Sequence, residues 1–218
     1  MPTARERHIT QSADGSTTLW VPGLDEHYHS IHGALTESQH VFIEAGLKAI
    51  GTSNVRILEV GLGTALNARL TLDQAQQDGL TIGYDALEKF PLTKEEIAAI
   101  GLQGMSKEAP FLTATSGAVT QITEQFTFRL LVEDVKTFEG EQGSYDLIYF
   151  DAFAPSAQPD LWTDAVFENM YGLLKPGGAL VTYCAKGVVK RSMKAAGFEV
   201  EALPGPPRKR EMTRAWKR

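Results

Sequence analysis

The segment Ile57-Leu58-Glu59-Val60-Gly61-Leu62-Gly63-Thr64 decides the fold of this chain. An apolar, β-branched run over 55–60 predicts a buried strand, and glycines follow directly after it. Residues 68–77 then have helical spacing. A glycine turn between a strand and a helix lets the backbone approach a ligand that any Cβ atom would hold away. The segment therefore predicts a ligand-binding turn in an α/β fold.

Strands and helices alternate along most of the remaining sequence. We expect further strands over 81–87, 126–132, 145–150, 179–184 and 198–203, helices over 36–50, 93–100, 164–174 and 188–196, a hairpin or edge strand near 17–21, and an irregular insertion over 101–118. This alternation predicts an α/β fold with a doubly wound, mostly parallel, Rossmann-like sheet. We expect one domain over 1–218, with a strand and helix extension over 1–50 and a basic segment over 204–218.

The glycine turn departs from the dinucleotide-binding pattern. Leu66 occupies the position of the third glycine, and the acidic Glu59 precedes the first glycine, Gly61. A carboxylate there would oppose a pyrophosphate but would suit the cationic methionyl amine of S-adenosylmethionine. The charge pattern therefore favours a sulfonium cofactor over NAD.

Two more acids follow predicted strands. Glu88 is placed to accept hydrogen bonds from ribose hydroxyls, and Asp134 to accept one from an adenine amine. Each acid alone fits a helix cap or a loop residue that faces water equally well. Three acids at successive strand ends after a glycine turn, with Glu59 as the first, favour one nucleoside cofactor.

A fourth acid, Asp151, follows the strand at 145–150. An amine attacks a sulfonium methyl only as the neutral base, so a carboxylate that orients the amine and takes its proton suits this position. We therefore predict that Asp151 is catalytic. Phe153 and Trp162 follow it and either stack on an extruded base or pack the pocket wall.

Composition limits the class of protein. Of the 218 residues, 43% are hydrophobic and 22% charged, which is typical of a folded soluble protein. No run approaches the roughly 20 apolar residues of a membrane span, and no signal peptide is evident, so we expect a cytoplasmic protein without a membrane partner. The single cysteine, Cys184, and the lack of zinc-site spacing predict no internal disulfide and no metal.

Charge is unevenly distributed along the chain. The net charge is -6, but residues 186–218 carry +7 and the preceding residues -13. A basic end can attract phosphate groups, or it can be a tail in water; both interpretations are open.

The chain also resembles a known family, the methyltransferase domain of MnmC-type enzymes that modify the wobble uridine of bacterial tRNA. The matching segments are, in order, Asp25-Glu26-His27-Tyr28-His29-Ser30 with Glu37 and Val41-Phe42, Glu59-Val60-Gly61-Leu62-Gly63-Thr64-Ala65-Leu66-Asn67, Leu87-Glu88-Lys89-Phe90-Pro91-Leu92, Tyr149-Phe150-Asp151-Ala152-Phe153-Ala154-Pro155 with Pro159-Asp160-Leu161-Trp162, Lys175-Pro176-Gly177-Gly178, and Arg208-Lys209-Arg210-Glu211-Met212. Six segments in the right order make a specific match over most of the chain.

The resemblance implies a class I S-adenosylmethionine-dependent enzyme that converts 5-aminomethyl-uridine, often 2-thiolated, to 5-methylaminomethyl-uridine in the tRNA anticodon stem-loop. The cofactor-binding residues it implies, together with the acid before the turn, are Tyr28, Glu59, Gly61, Gly63, Asn67, Glu88 and Asp134. The candidate substrate-binding residues are Phe153, Pro155, Trp162, Lys186, Arg208, Lys209 and Arg210, beside the catalytic Asp151.

Three positions depart from the family pattern. Ala65 and Ala152 stand where the family usually has glycine, and Lys186 where it has a small residue. The change at Ala65 is mild provided that the residue is already helical, whereas Ala152 alters the pocket for the target base and Lys186 adds a phosphate contact.

Bifunctional members of the family carry a flavin-dependent oxidoreductase domain after this one. This chain has no second glycine fingerprint before Arg218. We therefore expect a stand-alone methyltransferase that needs no FAD. The open alternatives are an enzyme of the same fold that modifies a small-molecule amine, such as a polyamine, and a non-catalytic nucleoside-binding module. The sequence does not indicate the oligomeric state.

Overall fold

The structure of the chain is a computed structural model that describes residues 6–11, 17–28, 33–101 and 107–218. Its strands are β1 (His8–Gln11), β2 (Thr17–Val21), β3 (Glu26–His27), β4 (Asn54–Val60), β5 (Thr81–Leu87), β6 (Val119–Thr123), β7 (Phe126–Leu131), β8 (Tyr145–Phe150), β9 (Leu174–Thr182), β10 (Glu199–Pro204) and β11 (Glu211–Trp216). Its α-helices are α1 (Ala34–Ser38), α2 (Leu66–Asp78), α3 (Lys94–Gly101), α4 (Ala109–Leu112), α5 (Asp164–Leu173) and α6 (Gly187–Ala195).

Eight of the described strands form the central sheet, in the order β10-β11-β9-β8-β4-β5-β7-β6. The five inner strands from β9 to β7 run parallel to their neighbours, and β10, β11 and β6 pair antiparallel. The predicted mostly parallel, Rossmann-like sheet is confirmed. The carboxyl ends of the parallel strands meet at one edge, which is where such sheets bind ligands.

The central strands are buried on both faces, as their nearly continuous apolar sequences require. One face of the sheet carries α2 and the helical segments on either side of it, with Phe42, Ile57 and Tyr149 in its core. The other face carries α5 and α6, with Phe167 and Met193 in its core. Two packed layers around the sheet hold its strand ends rigidly in place.

The sequence did not predict two strands of the sheet, β6 and β11. β6 pairs antiparallel with β7 and follows the predicted irregular insertion over 101–118; its exposed, polar sequence gives little periodic signal. Residues 102–106 of that insertion lie outside the described residues. β9 begins at Leu174 rather than at residue 179, so residues 175–178 also belong to the strand.

The basic C-terminal segment is not a solvated tail. Residues 211–216 form β11, which is inserted between β9 and β10 and buries Met212, Thr213 and Ala215. Arg214 donates from Nε to a carboxylate oxygen of Glu201 at 2.9 Å. The tail interpretation is therefore wrong for β11, since the apolar positions between the basic residues hold this strand in the sheet.

The predicted helix over 36–50 is broken into three pieces. α1 continues as a π-helix over Gln39–Glu44, and a 3-10 helix follows over Leu47–Ala49. Gly46 separates the last two pieces, and a Cβ atom there would lie 2.4 Å from the Phe42 carbonyl oxygen. The predicted N-terminal hairpin is confirmed as the antiparallel pair β1 and β2.

Candidate active site

A cavity of about 640 Å³ lies at the carboxyl ends of the parallel strands. Its floor consists of the segments that follow four of these strands: Gly61 to Gly63 after β4, Leu87 to Phe90 around the end of β5, Glu133 to Lys136 after β7, and Asp151 to Ala154 after β8. Its size falls in the range of roughly 300–1,000 Å³ typical of small-molecule sites. The predicted position of the site at this sheet edge matches the cavity.

The cavity is covered by parts of the chain that are distant in sequence from its floor. The N-terminal extension contributes Tyr28 and Glu37, and the loop between β10 and β11 contributes Lys209. Glu37 and Lys209 form an ion pair with a nitrogen to oxygen distance of 2.6 Å. Both ends of the chain therefore meet above the sheet edge.

The two glycines of the turn are required by close approaches of other segments. Gly61 has φ +90°, and a Cβ atom on it would lie 2.7 Å from the carbonyl oxygen of Asp151. Gly63 has φ +54°, and a Cβ atom on it would lie 2.7 Å from the ring of Tyr28. The glycines thus admit the Asp151 backbone and the Tyr28 ring to the cavity wall, and larger residues would displace both.

Ala65 is not helical, so the expectation of a mild change at this position, which required a helical residue, is wrong. It precedes α2 as the N-cap residue, with the left-handed angles φ 63° and ψ 23°. This conformation costs an L-residue roughly 1–2 kcal/mol, whereas it costs glycine almost nothing. Replacing the family's glycine with Ala65 is therefore a strained change rather than a mild one.

Glu88 lies at the cavity floor with both carboxylate oxygens held. One oxygen accepts from the backbone N–H of Gly63 at 3.2 Å and the other from that of Phe90 at 2.9 Å. A carboxylate has about four acceptor positions, so capacity remains for hydroxyl groups of a ligand. The backbone bonds orient Glu88 before any ligand arrives.

Asp134 also lines the cavity, but it already has a cationic partner. Its Oδ2 accepts from the ammonium of Lys89 at 2.8 Å, and its Oδ1 from the backbone N–H of Lys136 at 3.0 Å. Burial opposes ionisation, yet these donors outweigh it and lower the pKa of the Asp134 carboxyl. An adenine amine would have to share this carboxylate with Lys89.

Asp151 follows β8, and its carboxylate reaches the cavity from the side of the glycine turn. Its Oδ2 accepts from Nδ2 of Asn67 at 2.8 Å. Burial and the nearby Glu37 raise the pKa of Asp151 to about 7, against the opposing effects of Asn67 and Lys209. A carboxyl group with a pKa near neutrality can exchange a proton with a bound amine at physiological pH.

Glu59 and Asn67 lie behind the cavity wall rather than on it. The Glu59 side chain is completely inaccessible, and its Oε1 accepts from Asn67 Nδ2 at 2.9 Å. Burial raises the pKa of Glu59 well above its usual range. The prediction that these two residues contact the cofactor is not supported by their positions, because Glu59 and Asn67 do not line the cavity.

Trp162 is a packing residue, which is one of the two roles that the sequence left open; its position does not fit the candidate role in substrate binding. It is buried against Phe150 and Phe167, and its Nε1 donates to the carbonyl oxygen of Phe153 at 2.9 Å. Phe153 itself lines the cavity and meets the ring of Tyr28 edge to face, with centroids 5.2 Å apart. Trp162 therefore fixes the loop that presents Phe153. The structure does not bring Pro155 to the cavity wall.

The four predicted basic contacts separate into two groups. Lys209 enters the cavity wall, where its ammonium pairs with Glu37 and lies 4.6 Å from the centre of the Tyr183 ring. Lys186, Arg208 and Arg210 are exposed and lie outside the cavity lining. Among the other cations of the basic end, Lys190, Arg214 and Arg218 form ion pairs with Glu211, Glu201 and Glu199. These three pairs lie within residues 186–218 and leave the net charge of +7 unchanged, whereas the pair of Lys209 with Glu37 offsets part of it.

A family model described as an S-adenosyl-L-methionine-dependent methyltransferase matches residues 96–218, more than half of the chain. This chain belongs to that methyltransferase family. The resemblance noted in the sequence is confirmed by relatives from Cupriavidus metallidurans and Pseudoalteromonas atlantica, which are 32% and 31% identical to the chain over 93% and 96% of its length. Both are named tRNA 5-methylaminomethyl-2-thiouridine biosynthesis bifunctional protein MnmC, and the chain spans about one third of their length.

Solved structures agree with this assignment of the fold. MnmC2 from Aquifex aeolicus superimposes with a TM-score of 0.79 at 26% identity, over 100% of this chain and 72% of that one. A spermidine synthase in complex with a transition-state analogue superimposes with a TM-score of 0.62 at 13% identity, over 96% of this chain and 68% of that one, which is a likeness of fold alone. In the described part of the methyltransferase, every helix is too short or too polar to cross a membrane.

Several residues around the methyltransferase cavity, among them Glu37, Tyr183 and Arg7, were not predicted as site residues. Glu37 pairs with the predicted Lys209, Tyr183 donates from its hydroxyl to the carbonyl oxygen of Ala152 at 2.8 Å, and the guanidinium of Arg7 lies 5.7 Å from the centre of the Tyr28 ring. Glu37 falls in a helical pattern and Tyr183 near a strand end, so neither position has a local signal of its own. His29 and Ser30 of the matching N-terminal segment lie outside the described residues.

Proposed function

We propose that this chain methylates the exocyclic amine of 5-aminomethyl-uridine or its 2-thio form at the wobble position of tRNA. The relatives named for this biosynthesis support the substrate, as does the ordered set of six matching segments. The observation that carries the chemistry is a partly buried carboxyl group, Asp151, whose pKa is raised to about 7 at the floor of the cavity. We also propose that the chain works as one cytoplasmic methyltransferase domain.

The floor of the cavity fits S-adenosylmethionine, which when bound supplies an electrophilic sulfonium methyl group. Glu88, oriented by two backbone N–H groups, would accept hydrogen bonds from the ribose hydroxyls. Asp134 would accept the adenine amine while it keeps its bond to Lys89. Gly61 and Gly63 would let the backbone of the turn contact the cofactor, and the ring of Tyr28 would cover the cofactor. An acidic floor suits a cation better than it suits a pyrophosphate.

Asp151 would act on the amine rather than on the cofactor. A substrate ammonium has no lone pair, so it must lose a proton before its nitrogen can attack the methyl carbon. The Asp151 carboxylate takes that proton and keeps the nitrogen aimed at the methyl group. S-adenosylmethionine would supply the methyl group for the new carbon–nitrogen bond and would leave as a neutral thioether, while Asp151 holds the proton taken from the amine. Proton transfer to a positioned carboxylate contributes typically about 10²- to 10⁴-fold.

The acceptor side of the cavity would hold the modified uracil. Phe153 and Tyr28 present aromatic rings there, and the ion pair of Glu37 with Lys209 closes the far side. Lys186, Arg208 and Arg210 are exposed and would contact phosphates of the anticodon stem-loop. Binding that uses phosphates weakens steeply as salt rises, and Arg210→Gln should reduce the slope of log affinity against log salt by about one. An affinity that is independent of salt would contradict this use of the basic residues.

Methyl transfer from labelled S-adenosylmethionine tests the proposal. The substrate is tRNA that carries aminomethyl-uridine, and the matched control is the same tRNA without that group. We expect label only in the first tRNA, and digestion to nucleosides should place it in 5-methylaminomethyl-uridine. An enzyme that binds the cofactor but labels neither tRNA would favour a non-catalytic nucleoside-binding module.

A small-molecule amine is the second candidate substrate. The cavity is lined by seven acids: Glu26, Glu37, Glu88, Glu133, Asp134, Asp151 and Asp160. Such a lining also suits a polyamine, which is a flexible polycation. The same labelling experiment with spermidine in place of tRNA separates the two, because transfer to spermidine at a higher kcat/KM than to aminomethyl-uridine tRNA would overturn the first proposal.

A further inference from the structure

Two buried carboxyl groups share one amide nitrogen behind the cavity. Nδ2 of Asn67 donates one hydrogen to Glu59 Oε1 at 2.9 Å and the other to Asp151 Oδ2 at 2.8 Å. Both N–H groups of the amide are therefore used, and the two acceptor oxygens lie at most about 6 Å apart, within the range where like charges interact strongly. The two carboxyl groups are thus coupled through Asn67.

Neither carboxyl group has a cation against it. Among the described residues, no Lys, Arg or His nitrogen lies within ion-pair distance of Glu59 or Asp151. The titratable groups that act on Asp151 are Glu59, Glu37, Lys209 and Tyr183, and those that act on Glu59 are Asp151, Glu88, Tyr84 and Tyr149. Only one of these neighbours, Lys209, is cationic, and its ammonium is already paired with Glu37. A pair of ionised carboxylates here would repel without compensation.

The two groups differ in their access to solvent. Glu59 is completely inaccessible, and its Oε2 has no hydrogen-bond partner within 3.5 Å among the described residues; the nearby Tyr84 hydroxyl lowers the pKa of Glu59, but burial raises it by more. Asp151 is partly exposed at the cavity surface. A negative charge on Glu59 would be unsolvated, whereas one on Asp151 can be solvated through the cavity or paired with a substrate ammonium. The single charge of the pair therefore belongs on Asp151, and a proton on Glu59 Oε2.

We infer that Glu59 is a protonated positioning residue, and that Asn67 holds it against Asp151 so that the one negative charge of the pair resides on Asp151. This assignment replaces direct cofactor contact as the role of both residues. It rests on the proposed function only in calling Asp151 the proton acceptor. Glu59 fixes the rotation of the Asn67 amide, and the amide stabilises the ionised form of Asp151.

Carbon-13 NMR of labelled carboxyl groups tests the inference without any substrate. The resonance of Asp151 is assigned by its loss in Asp151→Asn, and that of Glu59 by its loss in Glu59→Gln. In the unaltered enzyme we expect Asp151 to titrate near pH 7, and Glu59 to keep the shift of a protonated acid throughout the titration of Asp151. A Glu59 resonance that titrates before that of Asp151, or together with it, would overturn the inference.

Glu59→Gln and Asn67→Ala should affect the titration midpoint of Asp151 differently. Glu59→Gln is a neutral isostere, so the Asp151 midpoint should stay within about 0.3 pH units of its original value. Asn67→Ala removes the donor to a charged group, so the midpoint should rise by about one pH unit. If Asn67→Ala does not fold, Asn67→Ser replaces it and should shift the midpoint in the same direction. A Glu59→Gln midpoint lowered by more than half a unit, or an Asn67 variant with an unchanged midpoint, contradicts the assignment.

These titrations are independent of the methylation assay. The expected midpoints without transfer to tRNA would refute the proposed substrate and leave the assignment of Glu59 and Asn67 standing. Transfer to tRNA with a titrating Glu59 would do the reverse.

Discussion

Two neighbouring strands of the sheet each bury an acidic residue, and only one of the two acids has a cationic partner. Asp85 on β5 accepts from Arg129 Nε at 2.9 Å and Nη2 at 2.6 Å, and from the hydroxyl of Tyr145 at 2.7 Å. Glu59 on β4 accepts one hydrogen bond, from the neutral amide of Asn67. Asp85 is a satisfied anion within the fold, whereas Glu59 and the adjacent Asp151 are buried acids without a cation.

The difference separates a stabilising acid from a reactive one. A buried carboxylate with a bidentate arginine and a phenol is fully compensated, so removing it leaves the arginine unpaired. A buried carboxyl without a cation costs stability when ionised, and that cost is what makes it able to bind a proton near neutral pH. The acids at the carboxyl ends of the strands thus cost stability, which interactions elsewhere in the fold must offset.

Asp151→Asn should give the largest effect. We expect methyl transfer, measured as kcat, to fall by about 10²- to 10⁴-fold, because the amide cannot take the proton of the amine. Binding of S-adenosylmethionine, measured by calorimetry, should change by less than about tenfold, roughly 1.4 kcal/mol. Retention of full activity would remove Asp151 from the mechanism and break the comparison.

The same substitution at Asp85, which is paired with Arg129, should lower stability rather than activity. Asp85→Asn leaves Arg129 without its anion, and the pair is partly solvent-exposed on the arginine side. We expect the free energy of unfolding in urea to fall by about 2–3 kcal/mol, below the full cost of a completely buried pair. Specific activity of the folded fraction at low temperature should remain. An unchanged free energy of unfolding in Asp85→Asn would contradict the stabilising role of Asp85.

The pH dependence of stability should distinguish the two acids next. The pKa of Asp151 in the folded state is about 7, above its ordinary value of 3.8, so its contribution is fully present below pH 3.8 and is lost as pH rises to 7. Asp151→Asn lacks this loss. Its advantage over the unaltered enzyme should therefore grow between about pH 4 and 7, level off above 7, and reach about 1–2 kcal/mol, because the cavity partly solvates Asp151. An advantage that shrinks over this range would refute the assignment.

The smallest expected effects come from the ion pair that covers the cavity. Glu37 raises the pKa of Asp151 and Lys209 lowers it, each less than burial does. The acid limb of the profile of kcat/KM against pH should move down in Glu37→Gln and up in Lys209→Met, each by about half a unit. Lys89→Met, which removes a cation from the cofactor side, serves as the matched control. Shifts in the same direction in the first two variants would show that the pair acts on structure rather than on charge.

Most of the cavity floor was predictable because it follows from local patterns. Gly61, Glu88 and Asp151 each stand at the end of an apolar run, and parallel strands bring their carboxyl ends to one edge. Local patterns left the role of Trp162 open, since an aromatic residue near a site has the same local signal whether it packs or stacks. β11 was missed because it is short and because Glu211, Thr213 and Arg214 interrupt its apolar residues within a basic segment.

The sequence by itself determined the strand ends, the glycine turn and the acids that follow them, since periodicity and turn residues are properties of short segments. Only the tertiary structure decided the charge of those acids. Asn67 and Asp151 are 84 positions apart, and Glu37 meets Lys209 from the opposite end of the chain. The ionisation of a carboxyl group depends on burial and on donors within a few ångströms, and residues distant in sequence supply both.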